Sequence, residues 1–147
     1  SVLADPAKEE SILRTKLNNI DMTEVVTLIE QSYDNYIQGH FEAANAMTRT
    51  ALETLVQRIS EKIATVRGES FTQATSHRFQ PRDYRNYLKG VGFTDDCEHE
   101  LLRTFYSYAS AEGSHPGLSD QPDARLRRFM MIGLCLFYIE KLEAWGS

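Results

Sequence analysis

The sequence predicts an all-α protein, a single-domain bundle of five or six helices. Almost every segment with a regular apolar pattern repeats at steps of three and four residues, and no segment alternates as a half-buried strand does. Helix-start and helix-stop residues separate these segments, and no internal repeat, low-complexity tract or long linker divides the chain. Because each amphipathic helix must bury its apolar face, we expect the helices to pack around one core.

Size and composition fit a protein of this class. The 147 residues are enough to bury a core without a metal or a disulfide, and 41% hydrophobic with 25% charged residues is typical of a soluble globular protein. A net charge of −5 argues against a protein that coats nucleic acid without sequence preference. Cys97 and Cys135 form no CxxC pair and no secretory leader is evident, which favours reduced thiols and a cytoplasmic location; a bridge between the two cysteines is the alternative.

Three helices are predicted in the first half of the chain. Asp5 followed by Pro6 is a typical helix start. Asp21 and Glu24 have the spacing of a capping box and predict the start of the second helix. The predicted ranges are Pro6-Ile20, Met22-Gln38 and Phe41-Val66. We expect the second helix to bury an apolar face made of Val25, Leu28, Ile29, Tyr33, Tyr36 and Ile37.

Three further helices are predicted after a loop at Glu69 to Gln80. Pro81 opens a short helix, and Thr94 caps the next one. The predicted ranges are Pro81-Lys89, Asp95-Ser110 and Gln121-Trp145. The last helix contains an apolar run from Phe129 to Ile139, shorter than the about 20 residues that a membrane span needs. Because this run is apolar on nearly every face, we expect it to lie centrally or to face a partner subunit.

The stretch from Tyr106 to Asp120 predicts a turn between two helices, with His115 at its centre. Glycine and proline on both sides of the histidine break the helix. A histidine held on such a turn can act as a general acid or base, and the alternative is a residue that only bonds its own loop. Arg103 is the nearest candidate cation upstream, about 10 Å below Ser110 along the helix. Its alternative role is a surface ion pair.

Two groups of basic residues are candidate anion-binding or RNA-binding sites. Basic residues near Tyr84 and Tyr87 could hold phosphates and stack bases, or they could form a solvated face opposite buried tyrosines. The second group opens the last helix directly after the His115 turn, where arginine opposes the helix dipole. The candidate residues are Arg82 and Arg85, beside Arg78 and Lys89, in the first group, and Arg125, Arg127 and Arg128 in the second.

No metal and no cofactor are predicted. Asp95, Asp96, Glu98 and His99 carry possible ligand atoms, and Asp95 and His99 would share a helix face. However, no second histidine follows at ligand spacing, and acidic residues are common in the first turn of a helix. We therefore interpret this group as a helix cap.

Two stretches of the chain resemble the HEPN superfamily of small helical domains. From Tyr33 to Ile59, an aromatic-bearing helix and a glycine break lead into an alanine-rich helix with Arg49, Leu52 and Glu53. From Leu101 to Leu142, a helix leads through a Gly-Ser-His-Pro-Gly turn into a long apolar helix. The resemblance implies a dimeric helical domain of the kind found in prokaryotic abortive-infection and toxin–antitoxin systems, where many members are metal-independent ribonucleases.

The catalytic signature of that superfamily is an arginine followed, after four to six residues, by a histidine. With His115 as the histidine, the arginine would fall at Tyr108, Ala109 or Ser110, so the signature is broken. We therefore expect a dimerisation or RNA-interaction module of an antiviral defence protein without ordinary HEPN catalysis. One alternative is a ribonuclease with a rearranged site, formed by His115 with Arg103 or the Arg125 group. The other is a bundle that docks onto another subunit or domain through its apolar last helix.

Overall fold

A computed structural model describes residues 5–69, 80–110 and 120–146. Within these ranges the chain forms six α-helices and no strand, which confirms the predicted all-α bundle. The helices are α1 (Pro6–Asn19), α2 (Thr23–Ile37), α3 (Phe41–Val66), α4 (Pro81–Gly90), α5 (Asp96–Ser110) and α6 (Gln121–Ala144). The predicted turn residue His115 and the basic residue Arg78 lie outside the described ranges.

The two longest helices, α3 and α6, lie at the centre of the bundle. α3 packs against α2, α4, α5 and α6, and α6 also packs against α1 and α2. Each helix contributes at least one fully buried side chain to one continuous core, namely Leu13, Ile29, Leu55, Leu88, Phe105 and Tyr138 in chain order. The central position predicted for the last helix is therefore confirmed. No helix in the described ranges is both long and apolar enough to cross a membrane.

The start of α1 is as predicted, whereas α2 begins one residue after the predicted Met22 and lacks the predicted cap. The Asp5 carboxylate accepts the Ala7 N–H at 3.0 Å. Asp21, however, has a φ of 60° and belongs to the turn that ends α1, because the Met22 N–H donates back to the Leu17 carbonyl at 2.9 Å. α2 begins two residues after Asp21. No capping box forms there.

The predicted buried face of α2 is also partly wrong. Tyr33 is 46% exposed and Ile37 is 62% exposed. Val26 and Ser32 are buried instead, so the buried face is rotated from the one that the apolar residues alone indicate. A buried serine is tolerated because its hydroxyl donates to the Ile29 carbonyl at 2.7 Å.

The cap of α5 is Asp95 and not the predicted Thr94. The Asp95 carboxylate accepts the Glu98 N–H at 2.7 Å, and the Glu98 carboxylate accepts the Asp95 N–H at 2.9 Å, which completes a capping box. Glu98 also pairs with Lys141 of α6 at 2.6 Å. These acidic side chains therefore start α5 and fix it to α6.

Candidate functional site

The described residues include the two helix ends that border the predicted functional turn. α5 ends at Ser110, and α6 begins at Gln121 after its cap, Asp120, whose carboxylate accepts the Asp123 N–H at 3.0 Å. The residues that hold these two helix ends in place therefore fix the positions of Ser110 and Asp120.

Arg127 joins the end of α5 to the start of α6. Its side chain is buried, with one guanidinium nitrogen 2.9 Å from the Asp123 carboxylate and another donating to the Ala109 carbonyl at 3.3 Å. The guanidinium also lies over the Tyr108 ring, 4.6 Å from its centre, and the Tyr108 hydroxyl donates to Asp123. A cation is favourable here because the last carbonyls of a helix lack partners within the helix. These contacts are internal and lend no support to the predicted anion-binding role of Arg127, which stays a prediction.

Arg128 has an internal role as well. It is 6% exposed, it pairs with Glu10 of α1, and its Nε donates to the Ser32 hydroxyl of α2 at 3.3 Å. Its guanidinium lies 5.0 Å from the centre of the Tyr33 ring. Arg128 thus joins α1 and α2 to α6, and its predicted role in binding RNA or another anion stays a prediction.

The remaining predicted arginines lie at or near the surface. Arg82 and Arg125 are exposed. Arg103 is about half exposed and pairs with Glu100 one turn away, which is the surface ion pair given as its alternative role. Arg85 is partly buried, with its guanidinium 5.7 Å from the centre of the Tyr106 ring.

Arg49, which the sequence patterns do not indicate as a site residue, reaches the end of α5 from α3. Arg49 lies 3.5 Å from the Ser110 hydroxyl, at the outer limit of a hydrogen bond, and 3.7 Å from the Glu53 carboxylate. Ser110 occupies one of the three positions where the sequence lacks the signature arginine. The available sequence signal was the four-residue repeat of Asn45, Arg49 and Glu53 on α3, which places polar residues on one helix face. Nothing in that repeat showed that α3 would pass the end of α5.

Arg49, Glu53, Arg85 and Tyr106 form what we call the polar cluster, between α3, α4 and α5. Tyr106 is 7% exposed, and its hydroxyl has no hydrogen-bond partner among the described residues. Burial, and secondarily the Glu53 charge, raise the pKa of Tyr106 well above its usual value, so the phenol is neutral. Burial also raises the pKa of Glu53, and Arg49 opposes that rise.

The described residues hold no group of three histidine, cysteine or acidic side chains that could bind a metal ion. The carboxylates of Asp95 and Glu98, which carry possible ligand atoms, each accept the other residue's backbone N–H in the cap of α5.

A second candidate site is an exposed apolar stripe on α6. Leu126, Phe129 and Phe137 are 50%, 46% and 47% exposed, and Gly133 lies exposed between the two phenylalanines. Steps of three, four and four residues place these side chains on one face of the helix. We call these four residues the α6 stripe. Beside it lies an apolar groove of about 280 Å³, lined by Pro6, Glu9, Phe129, Ile132 and Gly133.

Comparisons of this chain with protein-family profiles, with curated proteins and with solved structures find no match. The HEPN resemblance therefore rests on the sequence stretches quoted above.

Proposed function

We propose that this chain is a HEPN-like helical module of a prokaryotic antiviral defence protein that pairs with a second copy of itself through the α6 stripe, without ordinary HEPN catalysis. The observation that carries the proposal is the exposure of Phe129, Gly133 and Phe137 on one face of α6. Large exposed apolar side chains that lie together, unlike scattered ones, are typical of interaction sites.

The stripe has the symmetry that a two-fold dimer requires. Phe129 and Phe137 each lie four residues from Gly133, on opposite sides. If two α6 helices cross antiparallel at Gly133, each Phe129 faces the partner's Phe137, and the same contact occurs twice. Such self-complementarity is the condition for a closed two-fold interface.

Gly133 supports a close contact at the crossing point. A glycine inside a helix costs about 1 kcal/mol relative to alanine. A Cβ atom added at Gly133 would meet nothing within 4 Å among the described atoms, so packing within one chain does not require a glycine there. A second helix backbone that approaches this position would benefit from its small size. The groove beside Gly133 offers space for an aromatic ring of the second copy.

The charges next to the stripe are also complementary. Arg125 and Glu140 are both exposed and lie eight and seven residues from Gly133 on opposite sides. The antiparallel arrangement therefore brings each Arg125 close to Glu140 of the second copy. The stripe itself is small compared with the about 800 Å² per partner of a standard stable interface. We therefore expect dimerisation in the micromolar concentration range.

Sedimentation velocity between low and high micromolar concentrations tests this proposal. We expect a monomer–dimer transition in the wild-type chain and a monomer at all concentrations in the Phe129→Ser/Phe137→Ser variant. Leu101→Ser is the matched control, because Leu101 is 49% exposed on α5, and it should dimerise like the wild type. A wild-type chain that stays monomeric throughout would overturn the proposal.

A charge exchange tests the antiparallel arrangement itself. Arg125→Glu and Glu140→Arg should each weaken the dimer because they create pairs of like charges, and the double variant should restore it. If the double variant dimerises no better than the single variants, the helices do not cross as proposed.

RNA is the second partner that we propose, as a ligand of the monomer, in which Arg82 and Arg125 are both exposed cations. The internal bonds of Arg127 and Arg128 leave fewer cations for RNA than the sequence indicated. If both exposed arginines contact phosphates, replacing them with glutamine should reduce the salt dependence of RNA binding by about 1.4 in a log–log plot. An unchanged slope would exclude these two residues as the contact.

No observation on the described residues supports the ribonuclease alternative, since its histidine lies outside them and Arg103 pairs with Glu100. We also propose a cytoplasmic location, which is supported by two cysteines that are both free.

A further inference from the structure

The polar cluster combines side chains from three helices that pack against one another. α3 contributes Arg49 and Glu53, α4 contributes Arg85 and α5 contributes Tyr106, and each of the three helices contacts the other two. Residues that lie far apart in the sequence thus meet at one junction. None of them belongs to the α6 stripe.

The cluster contains hydrogen-bond donors that are not used. The Tyr106 hydroxyl and the Nε atoms of Arg49 and Arg85 are buried and have no hydrogen-bond partner among the described residues. A buried donor without a partner costs about 1–3 kcal/mol. Native proteins rarely leave several such donors together unless a water, an ion or a ligand binds them.

The two arginines of the cluster are held more loosely than those of α6. Arg49 is 38% exposed on its side chain, and its contacts to Glu53 and Ser110, its only polar contacts within the described part of the chain, are long. Arg85 contacts the face of a ring, and no carboxylate within residues 5–69, 80–110 and 120–146 forms an ion pair with it. By contrast, Arg127 and Arg128 are buried and paired with carboxylates. Arg49 and Arg85 can therefore turn toward a ligand without breaking a buried ion pair.

The charge and geometry of the cluster select the kind of ligand. The cluster holds two guanidinium groups and one carboxyl group, and only the Arg49 guanidinium lies beside that carboxyl, so the cluster favours an anion. Donors that come from three helices suit a group with oxygens in several directions, whereas a carboxylate has oxygens in one plane only. Guanidinium groups bind phosphate oxygens through paired hydrogen bonds.

We propose that the polar cluster is a binding site for a phosphate group, with Arg49, Arg85 and the Tyr106 hydroxyl as donors. Glu53 lowers the affinity when it is ionised, and its burial raises its pKa and so eases its protonation when the phosphate binds. The phosphate group can belong to a small phosphate ester or to an RNA backbone. This proposal does not depend on dimerisation through α6.

Titration of the full chain with inorganic phosphate, followed by NMR, tests the site. We expect saturable binding in the millimolar range that weakens about tenfold in Arg49→Gln or Arg85→Gln, since each removes a charge-assisted hydrogen bond. Arg14→Gln is the control, because Arg14 lies on α1 and pairs with Glu30. The absence of saturable binding, or an equal loss in the control, would overturn the proposal.

Two further variants keep the test valid if an arginine variant fails to fold. Tyr106→Phe removes only a hydroxyl that bonds to none of the described residues, so we expect a stable protein with weaker phosphate binding. Glu53→Gln removes the opposing charge, so we expect tighter binding at neutral pH. Unchanged binding in Tyr106→Phe, or weaker binding in Glu53→Gln, contradicts the proposed donors and charges.

Competition distinguishes the two sources of the phosphate group. Displacement of inorganic phosphate by octauridine supports an RNA backbone as the natural ligand. Displacement by adenosine 5′-monophosphate but not by octauridine supports a small phosphate ester. If neither displaces bound phosphate, the site accepts no phosphate ester and the proposal fails.

Discussion

At the scale of single residues, the first turns of α6 invert the usual distribution of side chains. Arg127 and Arg128 are buried, whereas Leu126 and Phe129 are exposed. Buried charges and clustered exposed apolar groups are the informative exceptions to hydrophobic burial. Internal ion pairs explain the two arginines, and the interface that we propose accounts for the leucine and the phenylalanine.

Arg128→Ala should lower the free energy of unfolding by about 3–5 kcal/mol, because it leaves Glu10 without its partner in a poorly hydrated place. Arg125→Ala, three residues earlier and exposed, should change it by less than about 0.5 kcal/mol. Urea denaturation of both variants measures the difference. Equal effects would show that Arg128 is not the buried link between helices that we describe.

The raised pKa of Glu53 predicts how the stability of the protein depends on pH. Its pKa in the folded state is raised above 4.5, first by burial, so its contribution to stability is fully present below the unfolded pKa and is lost as pH rises through the folded pKa. Glu53→Gln should therefore raise the melting temperature at pH 7 relative to wild type and lose that advantage near pH 4. Thermal denaturation at both pH values checks this prediction. An equal shift in melting temperature at both pH values would contradict the ionisation of Glu53 as the cause.

At the scale of helices, the sequence predicted which elements exist better than where they begin. Spacing at three and four residues was sufficient for all six helices, because burial of one face determines that pattern. The start of α2 could not be predicted from Asp21 and Glu24. Their spacing fits a capping box, but the turn that ends α1 competes for Asp21, and Glu24 bonds to Arg58 of α3.

Asp21→Gly distinguishes the observed turn from the predicted cap by the sign of its effect on the free energy of unfolding. At a φ of 60°, glycine lacks the steric cost of an L side chain, so we expect the free energy of unfolding to rise by up to about 1 kcal/mol. Loss of an N-cap would instead cost about 0.5–2 kcal/mol. Chemical denaturation gives the sign, and a destabilised variant would favour the capping box.

At the scale of the whole molecule, the candidate sites depend on contacts between helices that the sequence patterns did not predict. Local spacing placed the His115 turn between two helices, but it could not place Arg49 of α3 beside Ser110 of α5. Nor could it separate Arg125 from Arg127 and Arg128, since only the neighbouring helices decide which arginine is buried. The apolar run of α6 was compatible with a central position and with an interface. The structure shows the central position, and it also shows an exposed apolar face on the same helix.

The central claim, a two-fold dimer with α6 helices crossing at Gly133, is tested most directly by disulfide cross-linking of Gly133→Cys. The exposed native Cys97 is replaced by serine to remove competing thiols, and Ile37→Cys in the same background is the control, since Ile37 is exposed on α2. Because a two-fold axis brings position 133 of one copy against position 133 of the other, we predict rapid formation of a covalent dimer under mild oxidation. The control should remain monomeric. A Gly133→Cys chain that cross-links no faster than the Ile37→Cys chain would contradict the proposed interface.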